Sequence, residues 1–479
     1  MLTSFVGRRS ELALLKKRLD RVADSGTGVA VAIRGRRQVG KSRLVQEFCD
    51  QSRVPYLFFT AVKGASPVEA AADLLSELRK SDLPRDPELV PSATDWREAF
   101  RALAAALPDG PAIVVLDELP WLAEQDEIFD GALQAAWDRL LANRPVLLLL
   151  LGSDLHMMRR LTAYDRPFYG RADNLVLGPL NPAETGAALG LADTDAVDAQ
   201  LVSGGLPGIL RAWPDGMPAL AFLEQECADE SSPVFGVPES TLLAEFPEPD
   251  QARRVLEAIG GAGRTYANIA AAAGSRSAVV PSGTLSPVLH RMTDDKQIVA
   301  IDHPLATLSG KPALYRVADS NLRLYLAVLR AATDLIRRGR SAAAFRLVER
   351  RWATWRGRAV EPLVRESLEL AAAEGELPWP EIGAVGGWWN RQFDPEIDLV
   401  GVDKGPVANE IVFVGSIKWL ATPFDQRDLA ALHAAAPAVP GHTAHTGTVV
   451  ASRSGFADGL DAASVDLLWG PTDLVNAWR

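Results

Sequence analysis

Residues 29–48 read VAVAIRGRRQVGKSRLVQEF, and this stretch decides the fold of the first part of the chain. A run of five apolar residues predicts a buried strand, and it leads into a glycine-containing loop at residues 35–42. After the loop, apolar residues recur at helical spacing at Leu44, Val45 and Phe48. A strand, a glycine loop and a helix in this order are typical of a Walker A phosphate-binding motif. The alternative is a glycine-rich turn that matches by chance.

The residue types of this loop suit a bound triphosphate. Gly35 and Gly40 allow the backbone to turn so that successive N–H groups face the phosphates, and the next helix adds the positive end of its dipole. Lys41 would neutralise β- and γ-phosphate oxygens, and the Ser42 hydroxyl would take one coordination position on Mg²⁺. The predicted ATP-binding loop also contains the four residues between the glycines: Arg36, Arg37, Gln38 and Val39.

A second apolar run ends in two carboxylates. Residues 111–118 read PAIVVLDE, which predicts a buried strand with both acids at its end. Asp117 would hold Mg²⁺ through its water shell, and Glu118 would orient or deprotonate the attacking water. The alternative is a strand end whose acids are simply solvated. Together with the loop upstream, this pair predicts a site for ATP hydrolysis.

Four strand-like segments alternate with helical patterns, and this alternation predicts a parallel sheet covered on both faces. The segments are residues 29–33, 56–60, 112–116 and 146–152. A helix over residues 5–19 precedes them, with Ser10 as its expected N-cap. Ligands bind beyond the carboxyl ends of such strands, where Lys41, Asp117 and Ser153 all fall.

Two further residues are candidates for the same site. Ser153 follows the fourth strand and would sense the γ-phosphate or the attacking water, although it can equally be a turn serine. Arg171 lies in a loop before an apolar segment at residues 175–177. An arginine there would stabilise transition-state charge on its own or a neighbouring subunit's nucleotide. The alternative for Arg171 is a structural ion pair.

Length and composition limit the class of protein. The chain has 479 residues, enough for about three domains at roughly 150 residues each. No signal-peptide pattern stands at the N-terminus, and the longest apolar run, residues 146–151, is too short to span a bilayer. Two cysteines make neither a disulfide framework nor a metal cluster. We expect a cytoplasmic protein without a membrane partner, and the net charge of −11 argues against nonspecific coating of nucleic acid.

Five motifs resemble the ATPases first described as an archaeal family, which are placed among the STAND-type relatives of AAA+ ATPases. The motifs are FVGRRSEL (5–12), GRRQVGKSRL (35–44), VLDELPWL (115–122), PFYGR (167–171) and GGLPG (204–208). The resemblance implies an ATPase core with a helical lid, in which Pro207 lies over the nucleotide in place of an AAA+ sensor arginine. It also implies ATP and ADP as ligands, and a homo-oligomer, since related ATPases often act as rings.

The next segment predicts a small module of helices and strands. Residues 252–259, 266–273 and 282–292 predict three helices. Two short strands follow, at residues 297–302 and 313–317, around a turn at Gly310 and Lys311. Three helices and a two-stranded wing make a winged helix-turn-helix, which can read DNA through its third helix. The alternative is a packing or relay module, because acids nearly balance bases here.

Residues 321–360 carry an excess of positive charge. Arginines and lysines outnumber aspartates and glutamates ten to two in this segment. A basic segment on an acidic chain is a candidate contact for the phosphate backbone of DNA. The alternative is a solvated, partly amphipathic helical face.

The C-terminal region contains the motifs GRAVEPLVRESL (357–368), GGWWN (386–390), EIDLVGVD (396–403) and FVGSIKW (413–419). These motifs resemble a domain that often follows in the same ATPase family, with a fold related to PD-(D/E)XK nucleases. The sequence predicts a helix carrying Glu361, then a hairpin of alternating strands over residues 397–418, then helix, strand, helix and strand to Trp469. Asp398 and Lys418 are expected to face each other across the hairpin. The nuclease pattern expects an acid where this chain has Ser416, and a hydroxyl is a poor Mg²⁺ ligand. The predicted nuclease-like site is therefore degenerate.

The sequence thus predicts an α/β protein: a P-loop NTPase parallel sheet with a helical lid, a winged helix-turn-helix and a restriction-endonuclease-like α/β domain. The predicted boundaries are 1–178, 179–248, 249–320 and 321–479. The main hypothesis is a Mg²⁺-dependent ATPase that acts as a nucleotide-driven switch in DNA-related regulation or defence. The alternatives are an ATP-gated DNA nuclease and a scaffold that binds ATP without hydrolysis.

Overall fold

The structure is a computed structural model that describes residues 5–83, 90–161, 164, 166, 168–246, 251–261, 263–274, 278–310 and 312–479. It consists of two compact units, residues Phe5–Pro179 and residues Leu180–Arg479. Two positions named above, Pro167 and Lys311, lie outside the described residues. The finer division into four segments stays a prediction.

The N-terminal unit is an α/β unit. Its strands are β1 (Val29–Arg34), β2 (Tyr56–Thr60), β3 (Ala112–Asp117), β4 (Val146–Gly152) and β5 (Ala172–Val176). Its helices are α1 (Arg9–Ser25), α2 (Lys41–Ser52), α3 (Pro67–Lys80), α4 (Trp96–Ala106), α5 (Leu119–Gln125), α6 (Phe129–Ala136) and α7 (Leu155–Leu161), and a π-helical turn (Trp137–Leu141) follows α6.

All five strands are parallel, in the order β2-β3-β4-β1-β5. The four predicted strands are confirmed. The fifth strand, β5, lies at the edge of the sheet and begins three residues before the apolar segment at residues 175–177. Every residue of β3 and β4 is buried, as expected for central strands covered on both faces. Because β4 lies between β1 and β3, the loops after these three strands share one edge of the sheet.

The start of α1 differs from the expectation. The helix begins at Arg9, and its N-cap is Arg8, which has a left-handed backbone with φ 60°. Ser10 therefore lies inside the first turn and does not cap the helix. No side-chain hydrogen bond caps this end, which is held instead through the buried guanidinium of Arg8.

The C-terminal unit begins with a helical region and continues into a mixed sheet. Its first helices are α8 (Pro182–Leu189), α9 (Asp193–Ser203), α10 (Pro207–Leu210), α11 (Ala219–Glu226), α12 (Pro233–Glu245), α13 (Gln251–Gly260), α14 (Tyr266–Ala272) and α15 (Ser282–His290). Later helices are α16 (Ser320–Leu324), α17 (Arg330–Arg337), α18 (Ser341–Ala359), α19 (Glu361–Ala373), α20 (Gln426–Ala435) and α21 (Pro471–Asn476). π-Helical turns at Arg291–Asp295 and Tyr325–Leu329 follow α15 and α16, respectively, and a short 3-10 turn at Ala436–Ala438 follows α20.

The two short strands predicted after the third helix of the middle module are present. They are β6 (Val299–Asp302) and β7 (Leu314–Val317), and they pair antiparallel. The three helices predicted before them correspond to α13, α14 and α15. The described part of residues 251–317 therefore has the expected order of helices and strands.

The C-terminal sheet has five strands in the order β12-β11-β10-β9-β8. They are β8 (Ala384–Trp389), β9 (Glu396–Val402), β10 (Ile411–Lys418), β11 (Gly447–Ser452) and β12 (Leu467–Trp469). The predicted hairpin is β9 and β10, which pair antiparallel, whereas β10, β11 and β12 are parallel.

Three details of the predicted C-terminal region are wrong. Strand β8, which pairs with β9, is missing from the prediction. The hairpin strands do not alternate, because residues 399–402 are all buried and both faces of the sheet are covered. The helix expected between β11 and β12 is a single 3-10 turn, Ala462–Ser464, and α21 follows the last strand.

An ion triad crosses the interior of the C-terminal unit. Asp198 of α9 accepts a hydrogen bond from Arg356 of α18 at 2.9 Å and from Arg453, after β11, at 3.1 Å. Asp198 and Arg356 are 4% and 6% exposed, and burial raises the pKa of Asp198 and lowers that of Arg356. Other residues of α9 share a hydrophobic core with the C-terminal sheet. The segment predicted as a lid therefore packs into the same core as the sheet.

Candidate functional site

The loop between β1 and α2 has a backbone that only certain residues allow. Gly40 lies at φ 91° and Gln38 at φ 66°, both in the left-handed region. A Cβ atom at Gly35 would lie 2.4 Å from the carbonyl oxygen of Leu177, so this position requires glycine. Val39 is buried and anchors the loop, whereas Arg37 and Gln38 are exposed at its tip. The loop turns between β1 and α2 as the motif predicts.

Lys41 lies under this loop. Its Nζ donates hydrogen bonds to the carbonyl oxygens of Gly35, at 2.8 Å, and Arg36, at 3.0 Å. Burial lowers the pKa of Lys41 to about 8, although the carboxylates of Glu118 and Asp117 act in the opposite direction. The amine is therefore charged at neutral pH in a poorly solvated position. A phosphate oxygen would be a stronger partner than either carbonyl.

The hydroxyl after Lys41 meets the first carboxylate of β3. Ser42 Oγ donates a 2.6 Å hydrogen bond to Asp117 Oδ2, and Asp117 Oδ1 accepts one from the Glu118 backbone N–H at 2.9 Å. Asp117 is 3% exposed, and burial raises its pKa. A hydroxyl and a carboxylate are hard oxygen donors of the kind that Mg²⁺ takes beside phosphates and water. The pair therefore fits a Mg²⁺ ion.

The second carboxylate faces the end of β4. Ser153 Oγ donates to the Glu118 carboxylate, at 2.9 Å to one oxygen and 3.2 Å to the other. Glu118 has φ 55°, which turns the chain sharply at the end of β3 and starts α5. The predicted residues Lys41, Ser42, Asp117, Glu118 and Ser153 thus lie at one edge of one sheet.

Arg8 is a residue of this site region that the sequence analysis missed. It is 5% exposed, and its Nη2 donates to the carbonyl oxygens of Val39, at 3.0 Å, and Gly178, at 2.7 Å. It also pairs with Glu11 at 3.1 Å. Arg8 ties the start of α1 to the phosphate loop and to the segment after β5. Its presence in the FVGRRSEL motif was the only signal in the sequence.

Arg171 makes the structural ion pair that was the alternative to a catalytic role. Its Nε and Nη2 contact the two carboxylate oxygens of Asp138, at 2.7 and 2.8 Å. The paired carboxylate raises the pKa of Arg171, and the guanidinium lowers that of Asp138. A role for Arg171 at a nucleotide, in its own or a neighbouring subunit, stays a prediction.

Pro207 lies in the C-terminal unit, where it begins α10. Gly205, two residues before Pro207, has φ 66°, and a Cβ atom there would lie 1.9 Å from the carbonyl oxygen of Leu180. This close approach explains the glycine of the GGLPG motif. The predicted position of Pro207 over a nucleotide stays a prediction.

The nuclease-like residues are arranged differently from the expectation. Asp398 Oδ2 accepts hydrogen bonds from Ser416 Oγ, at 3.1 Å, and from the Ile417 N–H, at 2.9 Å. Lys418 Nζ pairs with Asp428 of α20 at 2.5 Å, and the expectation that it also faces Asp398 stays a prediction. The hairpin prediction could not include this partner, since Asp428 lies on the helix after the hairpin.

Glu361 is connected to Asp398 through an arginine. Arg365 Nη2 contacts the Glu361 carboxylate at 3.3 Å and the Asp398 backbone carbonyl at 2.8 Å. Burial raises the pKa of both Glu361 and Asp398. In the part of the chain that the structure describes, no three His, Cys, Asp or Glu side chains form a group suited to a metal.

Among the residues that the structure describes, none of the helices combines the length and apolar composition that a bilayer-spanning segment needs.

Two families match parts of the chain. Residues 4–150 match the family described as an AAA ATPase domain. Residues 325–429 match a family described as archaea bacterial proteins of unknown function. No curated protein matches the chain. The two matched ranges cover the predicted phosphate site and most of the arginine-rich and hairpin segments.

Three solved structures illustrate what the chain is similar to. The Walker-type ATPase of Pyrococcus abyssi is 18% identical, with 67% of this chain and 96% of that chain covered and a TM-score of 0.46. Cdc6p from Pyrobaculum aerophilum is 13% identical, with 71% and 97% covered and a TM-score of 0.33. The Orc1 protein of Aeropyrum pernix, solved in complex with DNA, is 15% identical, with 71% and 94% covered and a TM-score of 0.33. These chains are matched over most of their own length, but at low identity.

Proposed function

Because residues 4–150 match the AAA ATPase domain family, we propose that the protein binds ATP with Mg²⁺ at the loop of residues 35–42 and hydrolyses the nucleotide. The observation that carries the proposal is the convergence of two hydrogen-bonded pairs beside Lys41. These pairs are Ser42 with Asp117 and Glu118 with Ser153. An amine, a metal-binding pair and an oriented carboxylate are the groups that phosphoryl transfer to water requires.

Each residue has a distinct part in the proposed reaction. Lys41 would exchange its two loop carbonyls for β- and γ-phosphate oxygens, and Ser42 with Asp117 would hold Mg²⁺. The bound ion would neutralise phosphate charge. The Glu118 carboxylate would accept a hydrogen bond from the attacking water and take its proton. Ser153 positions that carboxylate through its hydroxyl.

Phosphate release from Mg-ATP tests the proposed activity. We expect the purified chain to release phosphate from ATP in Mg²⁺ and to stop when EDTA removes the metal, because Asp117 and Ser42 act on the nucleotide through the ion. The measurement is a coupled phosphate assay, with ATP and EDTA together as the matched control. Release that continues unchanged in EDTA would contradict the assigned role of this pair.

We also propose that the nucleotide acts as a switch on the C-terminal unit. The γ-phosphate makes contacts that ADP lacks, so the two nucleotides can favour different states of the protein. A lid at residues 179–248, a winged helix at 249–320 and a nuclease-like domain at 321–479 are the proposed parts. Since α9 shares a core with the C-terminal sheet, we expect the lid and that domain to move together.

DNA is the proposed partner of the winged helix. The support is the order of α13, α14, α15 and the β6–β7 sheet, together with exposed polar residues on α15. Thr284 and His290 are exposed there, and Ser286 bonds the Tyr266 hydroxyl at 2.9 Å. A homo-oligomer and a cytoplasmic location remain predictions of the same kind.

The C-terminal domain is proposed to bind or assemble rather than to cleave. Ser416 replaces the acid of the nuclease pattern, and its hydroxyl donates to Asp398. Lys418 is engaged by Asp428 and is not free to polarise a phosphate or a water at Asp398. With the second acid replaced by Ser416 and the lysine paired with Asp428, the residues present do not fit a Mg²⁺-dependent nuclease centre.

A plasmid-nicking assay tests this assignment. We expect no Mg²⁺- or Mn²⁺-dependent nicking above that of an Asp398→Ala variant, because Ser416 replaces the second acid of the nuclease pattern and Asp428 engages the Lys418 amine. The assay compares supercoiled and relaxed plasmid with and without ATP. Metal-dependent nicking by the wild type that disappears in Asp398→Ala would favour the ATP-gated nuclease instead.

A further inference from the structure

The C-terminal unit contains a cavity of about 400 Å³, within the usual size range of small-ligand sites. It lies where α13 and the β6–β7 sheet meet α18 and α19. The P-loop residues do not line it, nor do Asp398, Ser416 and Lys418. The cavity is separate from the P-loop site but adjoins the nuclease-like residues, because Glu361 forms part of its wall and Arg365, also in the wall, donates to the Asp398 carbonyl.

Arginines dominate the charged lining of this cavity. Two carboxylates, Asp302 and Glu361, face seven guanidinium groups. The seven arginines are Arg264, Arg316, Arg323, Arg350, Arg351, Arg358 and Arg365. Four of them come from the arginine-rich segment 321–360. That segment is thus divided, since part of it lines a cavity rather than forming one continuous exposed surface.

The protein neutralises only part of this positive charge. Asp302 pairs with Arg316 at 3.0 Å, and Glu361 pairs with Arg365 at 3.3 Å. Arg264 reaches Glu396, outside the lining, at 3.5 Å. The charge of the remaining four arginines is not balanced by the two lining acids.

Two of these four arginines are the most available to a bound anion. Arg350 and Arg358 are exposed on α18, and within the described residues neither makes an ion pair. They are eight residues apart on a helix that rises 1.5 Å per residue, about 12 Å along its axis. Such a pair can contact two ends of one ligand or two neighbouring phosphates.

Arg323 provides an independent observation. It lies in the cavity wall, its Nη2 donates to the Ala359 carbonyl, and its buried Nε has no hydrogen-bond partner in the described structure. Burial lowers the pKa of Arg323 to about 10, and the nearby Arg316 adds to the effect. A buried guanidinium is costly, and an anion in the cavity would stabilise the charge of Arg323.

The rest of the lining is apolar and partly aromatic. Ile259, Leu314, Val317 and Val328 line the cavity, together with the indole of Trp355. Such a surface suits a flat, weakly polar group, and aromatic side chains stack well on nucleobases. The cavity thus offers both charged and apolar contacts to one ligand.

We propose that this cavity binds a nucleotide through its phosphate, either as a free nucleotide or as the 5′-phosphorylated end of a single strand. The guanidinium groups match phosphate oxygens in charge and geometry. The apolar wall would receive the base. Because no P-loop residue lines the cavity, this proposal can be tested independently of the P-loop assignment.

The binding test uses the full chain and a short fluorescent probe. The probe is a single-stranded trinucleotide with a 5′-phosphate and a 3′ fluorophore, and binding is followed by anisotropy. AMP and the unphosphorylated trinucleotide are competitors, which separate a free nucleotide from a strand end. A hexaglutamate peptide of similar size tests whether any anionic chain suffices.

Matched arginine pairs provide the variants. Arg350→Ala with Arg358→Ala removes two exposed cavity arginines, so the fold should be retained. Arg338→Ala with Arg340→Ala removes the same charge from exposed positions of the same segment outside the cavity. We expect at least a tenfold loss of affinity for the cavity pair, because two charge-assisted contacts disappear, and less than a twofold loss for the control pair.

Two results would support nucleotide binding in the cavity, and four would overturn it. Displacement by AMP would identify a free nucleotide, and selective binding of the phosphorylated strand would identify a strand end; both support the proposal. Equal losses in the two arginine pairs would indicate a general electrostatic effect and overturn it. Equal displacement by hexaglutamate, no binding at all, or loss of the probe in Lys41→Ala would overturn it as well. The last result would place the probe in the ATP pocket.

Discussion

Glu118→Gln is expected to lower the rate of ATP hydrolysis by about 10²- to 10⁴-fold. The amide keeps the size of the side chain and can still accept the Ser153 hydrogen bond seen for the carboxylate. It cannot take a proton from water, so the chemical step loses its base. Binding of Mg-ATP should persist, because Lys41, Ser42 and Asp117 are unchanged.

The control for this variant is Glu124→Gln. Glu124 is exposed on α5, the helix that begins directly after Glu118. The Glu124→Gln substitution therefore removes the same charge close to the site. Phosphate release per bound nucleotide should be normal in the control. An unchanged rate in Glu118→Gln would support the non-hydrolysing scaffold, or another base, in place of the assignment made here.

Asp198→Ala is expected to destabilise the C-terminal unit by about 3–5 kcal/mol, because it leaves two guanidinium groups without their shared carboxylate. Arg356 is 6% exposed and would keep its charge in the interior. Arg453 would lose the same partner. Urea unfolding of the whole chain should show the transition of this unit at a lower urea concentration, from which the loss of unfolding free energy is obtained.

Asp195→Ala is the matched control, since Asp195 lies in the first turn of the same helix, α9. Its change in unfolding free energy should be small, because Asp195 is only half-buried whereas Asp198 is 4% exposed. A loss below about 1 kcal/mol in Asp198→Ala would mean that the triad does not hold the lid segment to the sheet, and the proposal of joint movement would lose its basis.

The N-terminal sheet could be predicted because its strands are buried on both faces. Such strands read as continuous apolar runs, and residues 146–151 are the clearest case. The phosphate loop was predictable for a related reason, since its glycines meet local backbone demands at Gly35 and Gly40. Local demands of this kind leave a direct signature in the sequence.

Long-range contacts left no such signature. Arg8 reaches the carbonyl of Gly178, 170 residues later, and Lys418 pairs with a helix outside its hairpin. The arginines of segment 321–360 could be counted but not placed. Arg356 enters a buried triad, while Arg330 pairs with Glu257 at 2.9 Å on a different helix. The sequence shows the excess of positive charge in this segment, but not which arginines are buried, paired or exposed.

The lowered pKa of Lys41 gives the ATP site an expected pH dependence. In the absence of nucleotide, the amine is charged below about pH 8 and loses its proton above it. A triphosphate favours the charged amine, so binding at pH 9 requires proton uptake. Affinity should therefore fall by about tenfold between pH 7 and pH 9, since one pKa unit corresponds to a factor of ten.

Titration calorimetry of the full chain with Mg-ATP tests the central claim most directly. We predict a binding heat for the wild type and for Lys16→Ala, which removes an exposed amine of α1, and none for Lys41→Ala under the same conditions. Lys41 is the group that would neutralise the β- and γ-phosphates. No heat with the wild type, or equal affinity in Lys41→Ala, would contradict the assignment of the loop at residues 35–42 as the ATP site.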